Sequence, residues 1–215
     1  MTMTQTNTEM KLKRIFIQNQ LPEVLALLKR ISNNIWWSWN ADAQDLFSSN
    51  DPVRFVELNY NPVALLATLD PIRMQELAKE KALLTQLKAV EKSFDVYLAE
   101  TKKKGPKLAY FSMEYGLHIS LKLYSGGLGV LAGDYLKEAS DDNSNLFAVG
   151  LLYRYGYFKQ ALSLNGDQIH NFPPQEFTKL PVSPVRNDNG DWIRITVDLK
   201  GRAVQAKLWL LKVGR

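Results

Sequence analysis

The sequence contains no cysteine. Disulfides and thiolate-bound metals are excluded with it, and a reducing, cytoplasmic setting is the expectation. Histidine is almost as scarce: His118 and His170 are the only two, with no H-x-x-x-H spacing, so no metal site is expected. The opening "MTMTQTNTEMKLKR" has no apolar core of the secretory kind. The longest apolar run, "LFAVGLLY" (146–153), is far too short for a bilayer span, and no membrane association is expected. Neither a Ser-His-Asp set nor a P-loop is recognisable. Net charge is +5, part of it in "KLKR" (11–14) and "KKK" (102–104). No aromatic residues are interleaved with these lysines, so they read as a solvated tail and linker, not a nucleic-acid interface.

What is present is ordinary globular material, 46% hydrophobic and 23% charged over 215 residues, enough to bury a core. Residues 1–20 read as a flexible tail. From Leu21 the spacing turns helical, with Leu21, Leu25, Leu28 and Ile31 on one face. "DPVRFVEL" (51–58) and "NPVALLATL" (61–69) each open with Asp or Asn before Pro, a helix-start signature. The charged stretch 72–100 carries an apolar stripe of Leu77, Leu84, Leu87, Phe94 and Leu98. Residues 21–104 are therefore expected to form a helical region. "TKKKGPK" (101–107) breaks the composition. Beyond it, "LAYFSMEY" (108–115) reads as a buried strand, "GLGVLAGDYLKEASDD" (127–142) as a helix and 146–153 as a second buried strand. That order is a βαβ unit and implies a parallel sheet. From Pro181 the pattern is β-rich, with turn candidates "NDNG" (187–190) and "LKGR" (199–202). A sheet so barely begun cannot bury both faces, so 105–215 is expected to be part of a longer lobe.

The glycines of "YSGGLGVLAG" (124–133) admit three readings. Gly127-x-Gly129-x-x-Ala132 formally fits a dinucleotide fingerprint. Its strand ends about a dozen residues too early, however, and Arg154 stands where a ribose-binding acid belongs. The glycines can be structural, serving a tight turn and close packing. Or they can leave backbone amides at a helix amino terminus open to an anion.

"AYFSMEYGLHISLKLYSGGLGVLAGDYLKEASD" followed by "GLLYRYGYFKQ" closely resembles the α-glucan (glycogen/starch) phosphorylases. "ISNNIWWSWNADAQDLF" and "NPVALL" resemble the extra helical segment of their bacterial and archaeal branch. The resemblance spans about positions 15 to 213 and matches the amino-terminal part of the family. It implies a GT-B fold, of which residues 105–215 would begin the first Rossmann-like lobe after a helical region, an α/β architecture overall. It implies reversible phosphorolysis of α-1,4-glucan by orthophosphate to glucose 1-phosphate, with pyridoxal 5′-phosphate as cofactor. Carried over, Gly126, Gly127 and Leu128 would face the substrate and cofactor phosphates, and Glu114 of "SMEY" would line the cleft; its alternative is a satisfied strand-end carboxylate. The family's Schiff-base lysine lies in the second lobe, so this chain is expected to lack the cofactor anchor and any activity of its own. Ile119 and Lys122 replace the Glu and Pro expected in "GLHxSLxxYSGG". A homo-oligomer is left open. Two other functions stay in view. A nucleotide-sugar glucosyltransferase of the glycogen synthase type shares the fold, but its K-x-G-G-L signature needs Lys where Tyr124 stands. A non-catalytic glucan-binding module would stack sugars on Trp36, Trp37 and Trp39, whose alternative is a core cluster.

Overall fold

The computed structural model describes residues 20–100 and 105–215. The tail expected over 1–20 lies outside the described residues except for Gln20, as does much of the 101–107 break. A 3-10 turn (Glu23–Leu25) leads into α1 (Ala26–Ser32), and a second (Ile35–Trp39) into α2 (Ala41–Ser48). Then follow α3 (Pro52–Glu57), α4 (Pro62–Thr68), α5 (Pro71–Leu77) and α6 (Lys81–Ala99). The reason for these starts is local. Asn40, Asp51, Asn61 and Asp70 each accept, through the side chain, the amide three residues on, and a proline opens α3, α4 and α5.

One correction concerns 72–100. It is not a single stripe but two helices parted at residues 78–80, because Asp70-Pro71 starts a helix of its own. On α6 the buried residues are Leu83, Leu87, Val90 and Phe94, while Leu84 and Leu98 pack only partly. Leu25, Leu28 and Ile31 are buried together as expected, with Trp36, Leu46 and Phe47 closing the core around them. Each such side chain contributes about 2 kcal/mol of transfer energy.

After the break come β1 (Leu108–Phe111), α7 (Gly127–Asp141) and β2 (Leu146–Val149). β1 and β2 pair in parallel, Leu108 opposite Leu146 and Phe111 opposite Val149. The βαβ unit is therefore present, but its strands are four residues each and exposed, not long and buried as expected. Phe111 is 71% and Phe147 59% exposed, because no third strand pairs with these two among the described residues. β3 (Lys159–Leu162) and β4 (Gln168–Asn171) make a hairpin not anticipated from the sequence, turned by Gly166 at φ 86°. β5 (Val182–Pro184) pairs with β8 (Trp209–Leu211), and β6 (Arg194–Leu199) with β7 (Arg202–Lys207) around Gly201, the "LKGR" turn.

The helical and α/β parts pack together through polar ties. Asn34 exchanges two hydrogen bonds with the Gly214 backbone (2.7 and 2.8 Å), and Asn61 donates to the Lys179 carbonyl (2.9 Å). The Arg215 guanidinium donates to the carbonyls of Tyr97 (2.7 Å), Ser140 (2.8 Å) and Asp141, and pairs with the Glu100 carboxylate (2.8 Å). Its guanidinium carbon lies 4.0 Å from the Tyr97 ring centre. Ile35, from the helical part, is buried in the second core beside Tyr115, Leu121 and Leu136. Among the described residues no helix is long and apolar enough to cross a membrane.

Candidate functional site

The segment after β1 runs directly against the first turns of α7. The Gly116 amide donates to the Gly129 carbonyl at 2.6 Å. The space here is tight: a Cβ on Gly116 would fall 3.0 Å from the Gly129 oxygen. A Cβ on Gly129 would fall 2.4 Å from the Tyr124 Cβ, and one on Gly133 would fall 2.2 Å from the Gly116 oxygen. These two glycines serve packing.

Gly126 and Gly127 do not. A Cβ on either meets no heavy atom within 4 Å. Gly126 is extended (φ −146°, ψ −160°), and neither glycine has a positive φ. Nothing inside the described chain requires these two positions to be bare. The glycine run is thus divided: Gly129 and Gly133 follow the structural reading, while Gly126 and Gly127 are left without an internal reason.

α7 begins at Gly127, and its N-cap, Gly126, has no side chain to cap it. Glu114 partly fills that role from the preceding segment. Its Oε1 accepts the Ser125 hydroxyl (2.9 Å) and its Oε2 the Ser125 amide (3.3 Å). The Ser125 hydroxyl, then its amide, hold the Glu114 carboxyl below the usual carboxylate range, with the Gly126 and Gly129 amides adding to the effect. Glu114 is therefore an ionised, partly exposed acceptor at neutral pH. The amides of Gly127 and Leu128 donate to no acceptor among the described residues. Leu128 itself is 54% exposed. Two adjacent free amides at the positive end of a four-turn helix can bind an anionic oxygen cluster.

The other candidates fall elsewhere. β1 ends at Phe111, so the loop is not the immediate strand-to-helix turn that a dinucleotide fingerprint needs. Trp36 and Trp37 are 3% and 2% exposed, which removes them as a sugar-stacking platform; they are core. Trp39 packs partly and donates to Asp141 (3.2 Å). His118 stacks edgewise on Trp37, ring centres 4.7 Å apart, and its Nδ1 accepts the Ser120 amide (3.2 Å). Burial, with the nearby Lys137 charge, lowers its pKa to about 4. His170 lies on the β3–β4 hairpin beside Phe158. Tyr153 donates to the Met113 carbonyl (3.1 Å), whereas Tyr155 and Tyr157 are exposed. At the two unexpected positions, Ile119 is exposed and the Lys122 amide is held by Gln175 (3.0 Å).

Sequence reasoning missed two residues. Ser125 is the partner of Glu114, eleven positions away, a pairing that no periodicity reveals. Gln175 bridges loops by donating to the Tyr153 carbonyl (2.7 Å) while accepting from Lys122. Nothing in "NFPPQEF" marks it.

Residues 21–121 match a family model described as "Protein of unknown function (DUF3417)". The chain is 39% identical over 218 aligned residues to a glycogen phosphorylase of Mycobacterium tuberculosis, covering 95% of this chain and 25% of the relative. It is 38% identical over 207 to a maltodextrin phosphorylase of Thermococcus litoralis, covering 93% of this chain and 25% of the relative. A glycogen phosphorylase of Aquifex aeolicus is 34% identical over 193, covering 87% and 28%. The chain thus spans about a quarter of the length of the curated relatives it matches. Along nearly its whole length the chain is similar to the glycogen and maltodextrin phosphorylases, consistent with an amino-terminal fragment of that family.

Proposed function

We propose that this chain forms the amino-terminal, phosphate-facing part of an enzyme that reversibly phosphorolyses α-1,4-glucan to glucose 1-phosphate, inactive as these 215 residues alone. The observation that carries the reading is the bareness of Gly126 and Gly127 beside two amides without an acceptor, with no steric or torsional cause among the described residues. Phosphorolysis calls for such preorganised donors more than for a protein nucleophile. The charge to be stabilised sits on phosphoryl oxygens, and fixed N–H groups need not reorganise as it shifts. In this reading Gly126 and Gly127 leave room for the phosphates, Leu128 lends its amide beside the sugar, and Glu114 lines the same cleft. The open loop fits a phosphate-bearing group such as pyridoxal 5′-phosphate, which when bound supplies a phosphate able to donate a proton to orthophosphate. Its Schiff-base lysine is expected in the second lobe, outside the residues described.

The same reading makes 105–215 the beginning of a Rossmann-like GT-B lobe behind a helical region at 21–104. Supporting it are the parallel β1–α7–β2 unit and its bare apolar strands. A hollow of about 380 Å3 lies over Leu108, Tyr110, Leu131 and Tyr135, which further strands and helices would cover. The enzyme would act in the cytoplasm.

The test is Gly127→Ala in the entire protein encoded by the gene carrying this sequence. Losing one preorganised donor site should lower phosphorolysis about a hundredfold, with melting unchanged within about 2 °C. Gly133→Ala is the packing control and should lower the melting temperature. If Gly127→Ala instead melts lower with activity per folded molecule preserved, the loop serves only its own turn and the proposal fails.

A further inference from the structure

We infer that Glu114 is a positioning residue: by tying Ser125 at both its amide and its hydroxyl, it fixes the Gly126–Gly127 loop so that the Gly127 and Leu128 amides are the ones left free. The inference rests on the phosphate-site reading for its functional half only.

The physical need is plain. Two successive glycines have more conformational freedom to lose than any other dipeptide, and on the helix side only the Gly126 carbonyl is held, accepting the amides of Gly129 (3.1 Å) and Val130 (3.2 Å). Ser125 is exposed, and its amide and its hydroxyl both donate to Glu114. Glu114, by contrast, stands on a rigid base. The Ser112 hydroxyl donates to the Glu114 carbonyl (2.9 Å) and accepts the Glu114 amide (3.3 Å). Next along the chain, the Tyr115 hydroxyl lies 2.7 Å from the Tyr110 carbonyl and 3.1 Å from that of Val149, bridging the ends of β1 and β2. The Tyr115 amide donates to Leu123 (3.2 Å). Order thus passes from the sheet to Glu114 and from Glu114 to the loop. Both carboxylate oxygens are engaged and the group is held ionised, so it is placed to accept hydrogen bonds rather than to deliver a proton. Its position also decides which amides remain: Glu114 takes that of Ser125, and Gly127 and Leu128 stay open.

The experiment compares wild type, Glu114→Gln, Glu114→Ala and Ser125→Ala in the entire protein. Two measurements are made: amide hydrogen exchange of the peptide covering 121–131, and KM for orthophosphate against KM for glucan. Glu114→Ala should speed exchange at 125–129 by roughly tenfold or more. It should raise the orthophosphate KM about tenfold while leaving the glucan KM within about twofold. Glu114→Gln keeps one acceptor oxygen and should fall between. Ser125→Ala keeps the amide tie and should be the mildest. Unchanged exchange in Glu114→Ala overturns the inference, as does an equal rise in both KM values. If the protein performs no phosphorolysis at all, the functional reading fails, yet the exchange comparison still decides whether Glu114 holds the loop.

Discussion

Four of the helices before residue 100 and the single helix after it begin in opposite ways. Every helix needs acceptors for its first amides. α2, α3, α4 and α5 obtain them from their own Asn or Asp at the N-cap, one turn away, and bury their apolar faces on each other. α7 has glycine at that position, and Ser125 just before it is tied to the Glu114 carboxylate, eleven positions earlier. The strands it packs on are just as unfinished. The first region is closed upon itself, and the second keeps a helix end and a sheet face in reserve.

The sharpest way to break this contrast is to cut large side chains in both regions. Trp37→Ala removes a ring packed against Phe47 and His118 and should lower unfolding free energy by about 3–5 kcal/mol. Phe111→Ala on the bare strand should change it by less than about 0.5 kcal/mol. Chemical denaturation of this chain measures both, and comparable losses would mean that β1 is covered after all.

Acid should act next most strongly, through His118 at the seam of the two regions. Its folded pKa, about 4, lies below the ordinary value of 6.5. The unfolded chain therefore binds the proton more readily. The stability that depends on neutral His118 is complete above pH 6.5 and is lost as pH falls towards 4. The loss is up to about 3 kcal/mol, and His118→Gln should flatten that part of the pH–stability curve.

The smallest effect tests the local caps. Asp51→Ala should cost about 1 kcal/mol by freeing the Arg54 amide. Its melting shift should appear without any change in 121–131 exchange, since α3 does not touch the glycine loop.

The closed region was the more legible of the two. Asp51-Pro52 and Asn61-Pro62 announced their helices because a cap and its proline act within one turn. Asp70-Pro71 carries the same signal, but the apolar stripe around it stays continuous in sequence across a break in the backbone and hides it. The open region was legible as β, then α, then β, but not in its details. Gly126, Gly127, Gly129 and Gly133 look alike in a sequence. Only the Tyr124 side chain against Gly129 and the Gly116 backbone against Gly133 separate the two that must be small from the two that are merely bare. The pairing of Glu114 with Ser125, and the reach of Gln175 from a neighbouring loop, arise only once the chain has folded back.

Arg215 has a consequence for the order in which the molecule comes together. Its bonds to Tyr97 and Ser140 close chain loops of 118 and 75 residues. α6 and α7 both direct their carbonyl ends at it, so the two helices present converging partial negative charges until this one cation arrives. A chain emerging from the ribosome can complete its helices long before that moment, because their contacts are local. Arg215 thus joins the carboxyl ends of two helices whose own contacts are local, and its charge answers the partial negative charge of both.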